Sequence, residues 1–356
     1  MIPHHIHQDL KELQSVGQYR ELKIYEKGTD FFSNDYLGLA SLTKNNLQND
    51  WVGATGSRLI SGNHQAHQNL ENFIEKWFSN SALLFGSGYM ANLGVLSALP
   101  TRHDTILYDS LCHASIKDGI RLSLAKSYSF PHNNYEKLEK LIQNSKGDVY
   151  VVVESVYSMD GDSPDAKILK EFVTKYGIYL IVDEAHSFGI CGEDGRGWSY
   201  ENDLLNDNLV TIFPLGKAAG AYGAFVIANK TIIHYLINSA RTFIYSTALP
   251  PILVSIIYDN LILLKNANEQ RKQIKELASF FKNSWIYPFI LPGNELCKNF
   301  AKKLIQKGFL VKAILSPTVP KGKERIRIVL HSFNTVSEVN QLKSTLENLS
   351  WNIKNL

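Results

Sequence analysis

One lysine, Lys217, lies where a charged residue is hard to explain as part of an ordinary loop. Apolar and β-branched residues at 209–215 predict a buried strand, and the lysine follows directly after Gly216. A second apolar run begins at Ala224. A long charged side chain can simply extend from such a loop into solvent. A lysine amine held between strands can instead form a covalent bond to a carbonyl group.

An aspartate and a histidine favour the chemical interpretation. Residues 179–183 predict a strand with Asp183 at its carboxyl end, and His186 follows three residues later. Open α/β sheets bind ligands at the carboxyl ends of neighbouring parallel strands. A Schiff-base lysine together with an aspartate that pairs with a pyridinium nitrogen is the signature of pyridoxal 5′-phosphate (PLP) binding. The sequence therefore predicts a PLP site around Lys217.

Alternating strand and helix patterns predict the framework that holds these residues. We expect strands near 82–85, 105–108, 126–130, 148–154, 178–183, 209–215 and 222–228, and helices near 64–78, 89–99, 114–124, 135–145 and 165–177. Such alternation is typical of an α/β fold with a mainly parallel sheet covered by helices on both faces.

The pattern changes after residue 229. Long helices through about residue 282 precede three strand-like runs, and two further helices lie among them, which predicts a smaller α+β domain. The runs are 285–291, 309–315 and 325–330, and the helices are 294–307 and 335–348. We expect an N-terminal arm at 1–30, a large domain at 31–245 and a small C-terminal domain at 246–356.

Other polar groups follow predicted strands. The Gly-Ser-Gly turn before Tyr89 opens a helix whose N–H groups could hold an anion, and His113 begins another helix. The strand at 148–154 ends in Glu154 and a turn-rich loop, which could carry chemistry or be a solvated turn. Arg325 and Arg327 share one face of a strand, either as a solvated edge or as a carboxylate-binding fork.

Composition excludes several classes of protein. The chain has 356 residues, is 44% hydrophobic and 20% charged, and carries a net charge of +3, which gives no electrostatic case for binding nucleic acid or an acidic membrane. Three widely spaced cysteines form no metal-ligand pattern and indicate a reducing compartment. The first residues lack the pattern of a signal peptide, and no apolar stretch is long enough to span a bilayer. We therefore expect a cytoplasmic protein.

From about residue 31 to residue 330 the chain resembles the α-oxoamine synthases, fold-type I PLP-dependent transferases that join an amino acid to an acyl-CoA with loss of CO₂. The resemblance implies a large domain with a mainly parallel seven-stranded-type sheet and a smaller α+β domain. Its motifs are Asn-Asp-Tyr-Leu-Gly-Leu (34–39), Gly-Ser-Arg-Leu-Ile-Ser-Gly (56–62), Gly-Ser-Gly-Tyr-Met-Ala-Asn (86–92), His-Ala-Ser (113–115), Ser-Met-Asp-Gly-Asp (158–162), Val-Asp-Glu-Ala-His (182–186), Gly-Lys (216–217) and Tyr-Ser-Thr-Ala-Leu-Pro-Pro (245–251).

The resemblance implies a role for each matched residue around the cofactor. Lys217 would bind PLP covalently and later move the α-proton, and Asp183 would pair with the pyridine N–H. His113 would stack on the ring, while His186 and Ser158 would contact the ring oxygen or nearby groups.

The phosphate contacts implied by the resemblance include one from a second subunit. Backbone amides at Gly88 and Tyr89 would hold the phosphate, and Thr247 would reach it from the partner chain, which implies a homodimer with shared sites. Pro214 departs from the family, which usually has Thr or Ser there to touch the phosphate. Either Thr211 or another group substitutes for that hydroxyl, or the phosphate has one hydrogen bond fewer.

The substrate contacts implied by the resemblance lie toward the two ends of the chain. Arg327 would bind the amino-acid carboxylate, Asn34 and Thr318 would line the pocket, and Arg20 could meet the distal carboxylate of a pimeloyl chain. The chain is most similar to the biotin-pathway member, which converts L-alanine and a pimeloyl thioester, on CoA or a carrier protein, to 8-amino-7-oxononanoate.

Alternatives within the family are glycine with acetyl-CoA or succinyl-CoA, and serine with a long acyl thioester as in serine palmitoyltransferase. An alternative of another class is a non-catalytic PLP-fold binding protein.

Overall fold

The computed structural model describes residues 3–24, 27–42, 51–282 and 284–354. Its largest feature is a seven-stranded sheet with strand order β2-β8-β7-β6-β5-β3-β4. The strands are β1 Thr29–Asp30, β2 Ser81–Phe85, β3 Thr105–Asp109, β4 Lys126–Phe130, β5 Val149–Glu154, β6 Tyr179–Asp183, β7 Leu209–Pro214, β8 Ala224–Ala228, β9 Ile286–Ile290, β10 Phe309–Leu310, β11 Lys312–Ile314 and β12 Arg325–Val329.

The helices separate most of these strands. They are α1 His4–Ser15, α2 Gln65–Phe78, α3 Gly88–Ala98, α4 Ala114–Leu122, α5 Tyr135–Gln143, α6 Ala166–Tyr176, α7 Trp198–Glu201, α8 Lys230–Ser239, α9 Arg241–Ile244, α10 Pro251–Lys265, α11 Asn268–Ala278, α12 Asn294–Gln306 and α13 Val336–Lys354. Short 3₁₀ turns lie at Leu39–Ser41, Glu193–Gly195 and Ser279–Phe281.

The large sheet is parallel except where β8 joins it. Strands β3 to β7 pair in parallel, whereas β8 is antiparallel to both β7 and β2. The α/β expectation and the predicted strand positions are confirmed. The near-continuous apolar strands are buried because helices cover a parallel sheet on both faces.

An aromatic cluster packs against the antiparallel edge of this sheet. Phe213 and Phe225 stack with ring centroids 4.7 Å apart, and Phe78 and Phe188 meet them edge-on at 5.0–5.6 Å. Burying four such rings is strongly favourable, because each removes a large apolar area from water. The cluster thereby stiffens β7, the strand that precedes Lys217.

Contacts divide the chain into two compact units. One comprises residues 35–158 and 162–271, and the other comprises 1–34, 159–161 and 272–356. The second unit contains the antiparallel sheet β11-β12-β9, and β1 pairs there in parallel with β10.

This division differs from the boundaries predicted at 30/31 and 245/246. The N-terminal arm joins the C-terminal residues because β1 pairs with β10. Helix α10 belongs to the larger unit, where it packs against α2.

The C-terminal pattern also differs in detail from the expectation. The single strand predicted at 309–315 is two short strands, β10 and β11, which belong to different sheets and are separated by Val311. Helix α8 was not predicted, because the sequence analysis treated the residues after 229 as a change of pattern. No helix in the described part of the chain is long and apolar enough to cross a membrane.

Candidate active site

The carboxyl ends of parallel strands bring the predicted residues of the larger unit together. Glu154 ends β5 and Asp183 ends β6, and the two are paired in register. Lys217 follows β7, the next strand of the sheet. This is the edge at which open α/β sheets bind ligands.

Lys217 belongs to a short chain of polar contacts. Its Nζ lies 3.0 Å from Nε2 of His186, and Nδ1 of that histidine lies 2.5 Å from the hydroxyl of Tyr36. His186 and Tyr36 are buried, and Lys217 is partly exposed. The structure therefore pairs Lys217 with His186, and it adds Tyr36, which the sequence analysis did not single out.

Asp183 is held in place by contacts from a neighbouring helix and from its own loop. Nδ2 of Asn92 donates to Oδ2 of Asp183 at 2.8 Å, and the amide of Ala185 donates to Oδ1 at 2.9 Å. The same Asn92 amide lies 3.0 Å from the hydroxyl of Ser115. These contacts fix the orientation of the carboxylate and leave it with acceptor capacity for a further donor.

His113 is the N-cap of α4. Its Nδ1 accepts from the amide of Ser115 at 3.2 Å and lies 2.8 Å from the Ser115 hydroxyl. Desolvation is the largest influence on the ring and lowers its pKa, and nearby Lys217 acts in the same direction. A neutral histidine is suited to face an aromatic ring.

The start of α3 has the character of an anion site. The first-turn amides of Gly88 and Tyr89 have no partner within their helix, and the helix dipole favours negative charge there. Pro214 packs closely on Gly88, since a Cβ at that glycine would lie 2.6 Å from Cγ of the proline. The Tyr89 side chain turns outward and donates to Asp118.

Thr211 cannot replace the missing hydroxyl at Pro214. It is buried within β7, three residues before the proline, and its hydroxyl donates to the carbonyl of Ile227 at 3.4 Å. Three residues of a strand span about 10 Å. Of the alternatives left open by the sequence, the structure removes Thr211.

Two further predicted regions of this unit lie in loops. Thr247 is exposed in the segment between α9 and α10, and Ser158 is partly buried after β5. Arg58, in the glycine-spaced loop, forms a two-pronged ion pair with Glu71 at 3.0 and 2.8 Å. That pairing makes Arg58 a structural anchor for its loop.

The predicted substrate residues belong to the other unit. The buried Arg327 donates from Nη2 to Oδ1 of Asn34 at 3.0 Å. Arg325 instead pairs with Asp160 at 2.6 Å, so the two arginines of this strand have different roles. Thr318 and Arg20 are both exposed.

The groups present fit PLP. The larger unit offers an amine, a fixed carboxylate and two imidazoles at one sheet edge, together with a helix start whose amides lack partners in their helix. These are the donors and acceptors that the aldehyde, pyridine nitrogen, ring and phosphate of the cofactor require.

Comparisons with known proteins agree with this reading of the site. Residues 26–342 match the aminotransferase class I and II family. A protein of Lysinibacillus sphaericus named 8-amino-7-oxononanoate synthase is 32% identical over 375 residues and covers 96% of each chain. The crystal structure of 8-amino-7-oxononanoate synthase from Francisella tularensis superposes with a TM-score of 0.78 at 32% identity, over 92% of this chain and 99% of that one.

A serine palmitoyltransferase of S. paucimobilis, solved with bound PLP-myriocin, has a TM-score of 0.89 at 23% identity and covers 99% of this chain and 98% of its own. At that identity the likeness establishes the fold alone. The family match and the relatives above 30% identity go further, and the chain belongs to the aminotransferase class I and II family, within its α-oxoamine synthase branch.

Proposed function

We propose that this PLP-dependent acyltransferase condenses L-alanine with a pimeloyl thioester in biotin biosynthesis. The products are 8-amino-7-oxononanoate, CO₂ and the free thiol of CoA or a carrier protein. The observation that carries the proposal is full-length similarity at 32% identity to two proteins that bear the name of that synthase. The contacts around Lys217 and Asp183 are what such a reaction requires.

Bound PLP supplies an electron sink for the negative charge that develops at the α-carbon of the amino acid. Asp183, whose position is fixed by Asn92, holds the proton on the pyridine nitrogen and so keeps that sink effective. His113 packs against one face of the ring. The amides of Gly88 and Tyr89 bind the phosphate at the start of α3.

Lys217 binds the cofactor and then transfers protons. Once the amino acid has displaced its amine, Nζ takes the α-proton. His186 lies 3.0 Å from Nζ and orients the amine, because its Nε2 can accept from Nζ–H while its Nδ1 proton is donated to Tyr36. The carbon–carbon bond forms as the thioester C–S bond breaks, and the carboxyl group then leaves as CO₂.

Arg327 binds the carboxylate of the amino acid in this proposal, with Asn34 holding its guanidinium. Thr318 and Arg20 remain predictions for the acyl side. Alanine and glycine differ by one methyl group, which discriminates by only about 10- to 200-fold.

The test is a titration of purified protein carrying PLP with alanine, glycine and serine, each with pimeloyl-, acetyl- and palmitoyl-CoA. We expect the visible absorption band of the cofactor to respond most strongly to alanine. We also expect CO₂ and thiol to be released in equal amounts only with pimeloyl-CoA. Preference for glycine or serine would keep the reaction class and refute the substrate.

Lys217→Ala is the matching variant, with Lys230→Ala, at the exposed start of α8, as its control. Loss of the proton-transferring amine should lower kcat by at least about 10²- to 10⁴-fold, while the control should behave like the wild type. Substantial turnover by the Lys217→Ala protein would refute the role of this lysine. Absence of a cofactor band in the wild-type protein would refute the proposed function as a whole.

A further inference from the structure

A second carboxyl group, that of Glu154, lies in the active site without a role in the reaction described above. It ends β5, is 3% exposed and pairs in register with Asp183. Its Oε1 accepts from the backbone amide of His113 at 2.5 Å. The amide of Ser158 donates to the same carboxyl group.

These two amides belong to two different segments. His113 follows β3 and caps α4, whereas Ser158 lies in the loop after β5. The proposed function places both side chains against the cofactor. One buried carboxyl group therefore ties together the backbone positions from which two ring contacts are made.

Stability alone does not account for a carboxyl group at this place. Burial raises the pKa of Glu154 to about 8, and the neighbouring charge of Asp183 acts in the same direction, while Lys217 lowers it. Taking a carboxyl group out of water beside a second one costs stability at neutral pH. The titratable groups around Glu154 are Asp183, Lys217, His113, Cys112 and Tyr157.

We propose that Glu154 is a positioning residue of the cofactor site, whose carboxyl group holds the amides of His113 and Ser158 and so sets where their side chains meet the PLP ring. This inference rests on the proposed function for the places of those two side chains. Glu154 itself takes no proton from substrate and touches no reacting atom.

The test compares Glu154→Gln with a matched control, Glu324→Gln. Glu324 is also buried and also accepts two backbone amides, from Gly293 at 3.0 Å and Gly322 at 2.9 Å, but it lies in the other unit. A carboxamide in place of the carboxyl group at 154 turns an –NH₂ group toward one of the two amides. One hydrogen bond is then lost or replaced by repulsion.

Three readouts apply, and only one of them depends on turnover. We expect amide hydrogen exchange at His113 and Ser158 to become at least about fivefold faster in Glu154→Gln. The Kd for PLP should rise by about tenfold, and the visible circular dichroism of the bound cofactor should change. Turnover should fall through kcat rather than KM, because the ring is held in a different orientation.

Glu154→Asp keeps the charge but shortens the side chain by one methylene group, so it can reach one amide and not both. It should speed exchange at one of the two amides and give an intermediate dichroism. This variant also serves if Glu154→Gln does not fold.

The outcomes separate the two proposals. Wild-type exchange and dichroism in both Glu154 variants, as in Glu324→Gln, would overturn the positioning role and leave the proposed function intact. A wild-type protein that binds no PLP would overturn both. Changes confined to the Glu154 variants, in exchange and dichroism together, would support the inference.

Discussion

Pro214 is the residue at which this chain departs most clearly from its family. Its ring packs on Gly88 at the start of α3, and a Cβ at that glycine would come within 2.6 Å of it. The proline therefore forms one wall of the proposed phosphate site while offering no donor to it. Thr211 does not compensate, because its hydroxyl is bonded inside the sheet.

Restoring a hydroxyl at position 214 should strengthen cofactor binding. A Thr side chain fits the volume of the proline ring and can donate to the phosphate, a charge-assisted contact that is worth about 1.5–3 kcal/mol at best. We expect Pro214→Thr to lower the Kd for PLP by about five- to tenfold, measured by titrating the apo-protein.

Thr211→Val is the control, since it removes the hydroxyl that points into the sheet. Its Kd for PLP should match that of the wild type. An unchanged Kd in Pro214→Thr would show that the phosphate lies out of reach of position 214.

At the scale of elements, strand positions could be predicted from sequence and several decisive contacts could not. The apolar runs and glycine turns locate all seven strands of the large sheet, because strand ends coincide with Asp183, Glu154 and the turn before Lys217. Asn92 and Tyr36 were missed as partners. Each makes its site contact across more than 90 residues of sequence, and only the fold brings the pairs together.

His132 shows a long-range contact of the same kind between elements. It follows β4, and its two ring nitrogens donate to Asp109 at the end of β3 and to Asp162 in the loop after β5, at 3.0 and 2.8 Å. The hydrogen bonds to these carboxylates raise the pKa of His132 to about 10, against the opposing effect of burial. The imidazolium thus joins three strand ends of the large sheet.

His132→Asn should therefore cost stability in a pH-dependent way. Because the folded pKa lies above the unfolded value of about 6.5, the stabilisation is full below pH 6.5, declines as the pH rises, and is lost above about pH 10. We expect a loss of about 2–3 kcal/mol in the free energy of unfolding at pH 6, allowing for partial solvent screening. Urea denaturation at pH 6, 8 and 10.5 measures it.

His103→Asn, at an exposed histidine in the turn before β3, is the control and should leave the free energy of unfolding within about 0.5 kcal/mol of the wild-type value. A loss in His132→Asn that does not change between pH 6 and 10.5 would contradict a charged histidine between the two aspartates.

For the whole molecule, the surface of the larger unit favours association with a second copy. Large apolar side chains are exposed in the glycine-spaced loop and beside Thr247, with Ile60 at 85% and Tyr245 at 71%. Exposed apolar patches of this kind mark interaction surfaces. The family resemblance assigns Thr247 to the phosphate site of a partner subunit, so the same surface would complete the active site of the other chain.

Complementation between two inactive variants tests this arrangement. Thr247→Glu would place a negative charge beside the partner's phosphate, and Lys217→Ala would remove the amine from its own site. Each homodimer should be inactive. A mixed dimer regains one working site, made of Lys217 from one chain and Thr247 from the other.

Random exchange of subunits makes half of the dimers mixed, each with one working site of two, so about a quarter of wild-type activity should return. Mixing Lys217→Ala with itself after the same unfolding and refolding is the control. If Thr247 acts within its own subunit, the mixed dimer has no site that contains both residues as needed, since one chain lacks the amine and the other carries the glutamate. Mixing would then restore no activity, and the recovered quarter distinguishes a shared site from two separate ones.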